Sequence, residues 1–245
     1  MEAPGVEVSV VVPVMDEEAS VARLAEEIAE AMARTGRRWE CVWVDDGSTD
    51  GTRAALEAVA AKRPEHRVVA LDGHFGQSAA LAAGFSSARG PIVATLDGDG
   101  QNDPADIPRL LERLDRGDVD MVNGVRAKRR DSFVRRASSK IANAFRNWLT
   151  KESVTDVGCS LRVFRKSCVE GIPVFKGMHR FLPTLARLRG ARIAEVPVHH
   201  RPRTAGRTKY GIGNRLWVGI SDTLAVRWMQ RRLVWPRVRG GGSGP

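Results

Sequence analysis

The chain has 245 residues, enough to bury the core of one large domain. Its 42% hydrophobic content is that of an ordinary soluble protein, and no stretch reaches the roughly 18 consecutive apolar residues of a membrane span. The formal net charge is +10, which excludes a neutral or acidic surface and points to nucleic acid, an anionic membrane or a phosphorylated substrate.

The charge is unevenly placed. From Arg201 onward there are ten basic side chains against one acid, Asp222, and a second cluster holds Arg126, Lys128, Arg129, Arg130, Arg135 and Arg136. Glu2 and Glu7 interrupt the start, so no signal peptide is expected. Cys41, Cys159 and Cys168 are odd in number and lack metal-ligand spacing, which reads as reduced cytosolic thiols.

In chain order, Val6 to Val12 is a strand-like run ended by Pro13. Asp16-Glu17-Glu18 then opens a helix with Val21, Leu24, Ala25, Ile28 and Met32 at helical spacing, closed by Gly36. Cys41 to Val44 is a second strand, ended by Asp45-Asp46-Gly47-Ser48-Thr49-Asp50-Gly51. A helix follows, with Leu56 and Val59 on its apolar face. Val68 to Leu71 is a third strand, and Gln77 to Ala88 a small-residue helix suited to close packing on a sheet. Ile92 to Leu96 is a buried strand leading into Asp97-Gly98-Asp99-Gly100-Gln101. Ile107, Leu110, Leu111 and Leu114 mark the next helix, and Met121 to Gly124 a fifth strand.

The second half is less regular. Phe133 to Leu149 has helical periodicity, Asp156 to Phe164 runs from a loop into a strand, Phe181 to Leu188 is helical and Ile193 to Val198 is a strand. Arg203 to Gly211 is a basic loop. Asn214 to Arg232 is a last helix with Leu216, Ile220, Leu224 and Trp228 in a stripe. The division expected is an α/β catalytic domain over 1–212, a basic amphipathic helix over 213–239 that contacts a membrane surface, and a flexible glycine-rich tail over 240–245.

Strands alternating with helices predict a mostly parallel sheet covered on both faces. Neither a GxGxxG nor a P-loop is present. Instead, acids stand at three strand ends: Glu17 after the first, Asp45 and Asp46 after the second, Asp97 and Asp99 after the fourth. In an open α/β sheet these ends share one crevice. Continued strand geometry would point Asp97 and Asp99 the same way. With the Gln101 amide they suit a hard divalent cation that also binds phosphates. Read alone, the same stretch is an acidic turn with helix-capping aspartates.

These stretches together resemble a family-2 glycosyltransferase of the GT-A fold. Val11 to Glu18 resembles its first nucleotide motif, Val44 to Thr52 its second, and Asp97-Gly98-Asp99 its DxD. Phe75-Gly76-Gln77, Asp97 to Pro104, Val157 to Arg162 and the loop Arg203 to Tyr210 resemble the polyprenyl-phosphate branch. The resemblance covers roughly residues 6 to 228 and implies transfer of one sugar from a UDP- or GDP-linked donor to an undecaprenyl or dolichyl phosphate.

The resemblance also implies roles. Pro13, Met15, Glu17, Asp45 and Asp46 line the nucleotide pocket with Gly76, Gln77, Asp97, Gly98 and Asp99. Asp97, Asp99 and Gln101 hold Mg²⁺ or Mn²⁺. Arg126, Arg135 and Ser139 hold the acceptor phosphate, and Arg203 and Lys209 belong to a loop that closes over the phosphates. Asp97, Asp99, Asp156 and Arg126 form the catalytic set; Asp156 orients the acceptor or a basic partner, or is structural. Many relatives carry C-terminal spans. This chain is expected instead to be peripheral at the cytoplasmic membrane face, with a membrane-anchoring partner protein as one route to attachment. Processive synthases of the family carry Gln-x-x-Arg-Trp; here Leu224 stands at the glutamine position before Arg227-Trp228, and that reading is rejected.

Three residues or sets keep two readings. His179 and Arg180, placed before a helix, cap it or touch the sugar. His199 and His200 read as strand-end residues rather than ligands. Trp217, Trp228 and Trp235 with their flanking arginines suit a membrane interface more than a core. Two other functions are set against the main one. A same-fold enzyme acting on a hydroxyl of a lipid, glycan or protein would need a general base. A nucleic-acid-binding module would bring a motif, and none accompanies the charge.

Overall fold

The computed structural model describes residues 5–126, 147–150, 154–202 and 215–235, without the side chains of 215–218. Seven strands form one sheet: β1 (Val8–Val14), β2 (Trp39–Asp45), β3 (His66–Ala70), β4 (Ile92–Thr95), β5 (Met121–Arg126), β6 (Arg162–Arg165) and β7 (Ile193–Val198). Their order is β3-β2-β1-β4-β6-β5-β7. Only β6 runs against its neighbours, β4 and β5; the other four pairings are parallel.

Helices cover both faces. Helices α1 (Glu18–Ala33), α2 (Thr52–Lys62) and α4 (Ile107–Asp115) lie on one side. There Val21, Leu24, Ile28, Leu56, Leu110 and Leu114 pack on Val8, Val10, Val12 and Val14. On the other side are α3 (Gln77–Ser87), α5 (Met178–Leu188) and α6 (Arg215–Arg232). Here Ala80, Leu81, Phe85, Leu182, Leu185 and Val226 pack on Val11, Val42 and Val44. The alternation along β1 is the period of two that a two-sided sheet demands. Val11 leaves no room above it: a Cβ on Gly84 of α3 would meet its Cγ1 at 2.3 Å. The small residues of α3 serve that close approach.

Two expectations are corrected by the packing. Strand β1 does not stop at Pro13 but runs through it to Val14. Strand β4 pairs with β1 only as far as Val11, so Pro13 lies beyond that ladder and its missing N–H deprives no partner on that side. Helix α5 begins at Met178, three residues before Phe181, so His179 and Arg180 lie in its first turn. Gly177, at φ 91°, supplies the sharp entry. Strand β6 stands between β4 and β5, so β5 is not β4's neighbour.

Of the 213–239 helix, the structure describes Arg215–Arg232 as α6. The Phe133 to Leu149 helix falls outside the described residues except for a helical turn at 147–150. Among the described residues no helix is long and apolar enough to cross a membrane.

Candidate active site

Winding of the sheet reverses between β1 and β4, and the ends of β2, β1 and β4 lie side by side. That is the topological switch point, where open α/β sheets bind ligands. The segment after β1 is laced to the segment after β2. Asp16 N donates to Ser48 Oγ at 3.0 Å and Thr49 N to Asp16 Oδ1 at 2.8 Å. Glu17 N donates to Thr52 Oγ1 at 2.8 Å, and Gly51 N to Glu18 Oε2 at 3.2 Å. Asp16 takes a left-handed φ of 50° to make the turn.

The two acids after β2 have different partners. Asp45 is buried and accepts from Ser48 N at 3.0 Å. Asp46, also buried, accepts from Phe75 N at 2.8 Å and Gly76 N at 2.9 Å and pairs with His74 Nδ1 at 2.8 Å. Asp46 thus fixes the loop that leads into α3. This places Gly76 at the start of α3, where Gln77 reaches Asp97.

Strand β4 ends at Thr95, so strand geometry does not carry through to Asp99 as expected. Residues 98 and 99 form a turn in which Gln101 N donates to Asp99 Oδ1 at 3.1 Å. Gly98 lies against β1: a Cβ there would meet Val14 Cγ1 at 2.4 Å and Pro13 O at 3.2 Å. Its carbonyl accepts from Ser20 Oγ of α1 at 2.6 Å. Asp97 is held from above and below. Gln77 Nε2 donates to its Oδ1 at 2.6 Å, and its own N–H donates to Asn102 Oδ1 at 3.2 Å. Burial and then the Asp99 charge push the Asp97 carboxyl up to about 6, although Arg162 and Arg126 pull the other way. A cation between the two carboxylates would relieve that repulsion. Among the described residues no group of three or more His, Cys, Asp or Glu could hold an ion. Two carboxylates and an amide fit a hard cation that completes its shell with water and substrate phosphate oxygens.

On the β5–β6 side, Arg126 and Asp156 form a bidentate pair, Nε to Oδ2 and Nη2 to Oδ1, both 2.7 Å. Asp156 is 7% exposed, and a Cβ on Gly158 would meet Arg126 Nη2 at 2.6 Å. Asp156 is thus paired with a basic residue. Arg162, 3% exposed, donates to His179 O at 2.8 Å and Val157 O at 3.2 Å. Only the Val157 to Arg162 signature hinted at it; its burial beside Asp97 was invisible to local patterning. His179 Nδ1 lies 3.0 Å from Ser78 Oγ, and burial pushes its imidazole down to about 3. His199 meets Asp106 at the end of β7, as a strand-end residue. Arg135, Ser139, Arg203 and Lys209 lie outside the described residues.

Sequence comparison settles the family. The pattern defining Glycosyl transferase family 2 matches residues 9–172. The chain belongs to that family. This glycosyltransferase is 41% identical over 234 residues to the dodecaprenyl-phosphate galacturonate synthase of Rhizobium johnstonii, covering 94% of the chain and 69% of the relative. It is also 41% identical over 207 residues to the undecaprenyl-phosphate 4-deoxy-4-formamido-L-arabinose transferase of Edwardsiella ictaluri, covering 84% and 63%. The chain thus spans about two thirds of the length of these relatives.

Solved structures share the fold. The glucosyl-3-phosphoglycerate synthase of Mycobacterium tuberculosis, crystallised with Mn²⁺, UDP and glucosyl-3-phosphoglycerate, superposes with a TM-score of 0.68. That match has 21% identity over 91% of this chain and 79% of the other. A Pyrobaculum calidifontis mannosyltransferase, solved with GDP-mannose and Mn²⁺, gives 0.65 at 21% identity over 96% and 67%. The glycosyltransferase therefore has the GT-A fold, as its motifs implied.

Proposed function

We propose that the protein transfers a single sugar, with inversion, from a UDP- or GDP-linked donor to a polyprenyl phosphate, in a reaction that needs Mg²⁺ or Mn²⁺. The observation that carries this reading is that Asp45, Asp97 and Asp99 stand at the adjoining ends of β2, β1 and β4, with Arg162 and Arg126 near enough to lower the Asp97 carboxyl. The kinship with two polyprenyl-phosphate sugar transferases supports the acceptor class.

Asp45, Met15 and Glu17 bind the nucleoside end of the donor, and Gln77 holds Asp97 in place. Asp97, Asp99 and Gln101 would hold the cation. When bound, it neutralises charge on the departing diphosphate. A lipid phosphate oxygen attacks the anomeric carbon from the face opposite the diphosphate. One carbon–oxygen bond forms as the other breaks, and the diphosphate leaves with the bonding pair. The acceptor is already ionised, with a second pKa of about 6, so no strong general base is required. Arg126, aimed by Asp156, contributes its positive charge to binding the acceptor phosphate. The Arg135, Ser139, Arg203 and Lys209 assignments belong to the same proposal. So does action at the cytoplasmic face of the membrane.

A hydroxyl acceptor would need a base. Asp156, a candidate base, is engaged with Arg126, which favours the phosphate acceptor. Incubation with radiolabelled UDP- and GDP-sugars, Mn²⁺ and either polyprenyl phosphate or neutral lipid tests the choice. Label is expected in the polyprenyl phosphate and abolished by Asp99→Ala. Label confined to the neutral lipid would overturn the reading.

A further inference from the structure

The DxD turn is braced by Arg201, an arginine that the sequence groups with the basic tail. Just past β7 the chain runs antiparallel to the segment that follows the turn. His200 bridges to Asn102, and Arg201 N donates to Gln101 O at 2.8 Å. His199 N donates to Asp106 Oδ2 at 2.6 Å, and Arg109 donates to Pro197 O, so the two segments stay zipped as far as α4.

The Arg201 side chain reaches two further elements. Its Nη1 donates to Glu27 Oε2 of α1 at 2.7 Å, and its Nη2 lies 2.8 Å from Asp103 Oδ1. Asp103 Oδ1 also accepts from Ala105 N at 3.0 Å, which fixes the start of the helical turn behind it. Glu27 Oε1 lies 3.1 Å from Arg23 Nε, and a Cβ on Gly100 would meet Arg23 Nη2 at 3.8 Å. With Ser20 on the Gly98 carbonyl, α1 lays three side chains of one stripe, Ser20, Arg23 and Glu27, along the turn. Arg201 closes the far end of that brace.

Gln101 is the residue so held. Its N–H donates to Asp99 Oδ1 and its carbonyl accepts from Arg201 N. We propose that Arg201 is a positioning residue for the cation-holding turn: its guanidinium, clamped between Glu27 and Asp103, keeps Gln101 and Asp99 in the geometry that takes the ion. The inference rests on the proposed metal requirement. Charge alone argues the other way, because a guanidinium repels a nearby cation. Glu27 and Asp103 offset that charge, and the fork that joins them remains.

The sign of the effect separates the two roles. The full chain is titrated with UDP and with GDP by calorimetry, in EDTA and at rising MnCl₂. In the wild type Mn²⁺ should tighten nucleotide binding. The Mn²⁺ concentration that gives half of this gain should rise about tenfold in Arg201→Gln, which loses both charged contacts, and about threefold in Arg201→Lys, which keeps the charge without the fork. Affinity in EDTA should not change. Charge alone predicts a lower half-point for Arg201→Gln and no shift for Arg201→Lys. A half-point that falls or stays put in Arg201→Gln overturns the proposal, even where the unfolding midpoint drops, since Arg201 is then structural only. If Arg201→Gln does not fold, an unshifted Arg201→Lys overturns it instead. A wild type whose affinity for both nucleotides ignores Mn²⁺ overturns the metal requirement, and this inference with it. A wild type that responds beside variants that respond alike overturns the positioning role only.

Discussion

Gln77 Nε2 lies 2.6 Å from Asp97 Oδ1, so the first residue of α3 is bonded to the first acid of the DxD turn. Helix α3 packs over β1 and β2 while the turn follows β4, and this bond joins them. A hydrogen bond to a charged group is worth about 1.5–3 kcal/mol. Gln77→Ala should therefore lower kcat/KM about ten- to a hundredfold. Gln77→Glu should lower it further, since it sets a third carboxylate against Asp97 and Asp99. Steady-state kinetics on both variants checks the order; an equal or smaller loss in Gln77→Glu would contradict it.

Gly98 is fixed by contact rather than by its φ. An added Cβ would fall 2.4 Å from Val14 Cγ1 and 3.2 Å from Pro13 O. The β4 turn cannot retreat easily, because Ser20 holds the Gly98 carbonyl. Gly98→Ala should cost about 1–3 kcal/mol, the range of overpacking a tight contact. It should also reduce nucleotide affinity. Urea unfolding and a thermal-shift titration with UDP and Mn²⁺ measure the two effects.

In the Arg126–Asp156 pair the acid is buried and the guanidinium half-buried. Asp156→Asn removes the charge that holds the guanidinium fork, which should cost about 1–3 kcal/mol. It should raise the KM for the acceptor while the KM for the nucleotide-sugar changes little. Arg126→Lys keeps the charge but loses the fork, and should show the same split with a smaller stability loss. A matching rise in the donor KM would place the pair on the wrong side of the site.

His66 links stability to pH. Trp43 Nε1 donates to its Nδ1 at 2.9 Å, and its buried Nε2 has no hydrogen-bond partner. Burial, then Arg63, pushes the imidazole down to about 4. Between its unfolded value near 6.5 and this folded value, only the unfolded chain takes the proton. Stability from this residue is therefore complete above pH 6.5 and is lost as pH falls toward 4, by about 3 kcal/mol. His179 adds to the same slope, whereas Asp97, raised to about 6, opposes it. Urea unfolding of wild type and His66→Gln between pH 7 and 4 separates the contribution. The variant should be less stable at pH 7 and shallower in its pH dependence.

What could be read in advance followed the range of the interactions. The first four strands and their helices announce themselves, because Val8 to Val14, Cys41 to Val44 and Ile92 to Thr95 are apolar runs closed by turn residues nearby. The acids at their ends were legible for the same reason. The place of β6 was not, since Thr95 and Arg162 are register partners separated by 66 intervening residues. Arg162 accordingly looked like part of a motif and not like a buried cation beside Asp97. The apolar stripe of Leu224 and Trp228 was visible as spacing, but spacing does not say which stripe turns inward; Val226 and Met229 took the core.

The late arrival of β6 has a consequence for how the chain is made. Until Arg165 has been synthesised, Ile92–Thr95 has β1 on one side and no strand on the other. The growing polypeptide therefore exposes a bare edge able to pair with a neighbouring chain. Closing that edge requires long-range contacts, which form slowly. Refolding yield should accordingly fall as protein concentration rises, even where the finished sheet is secure.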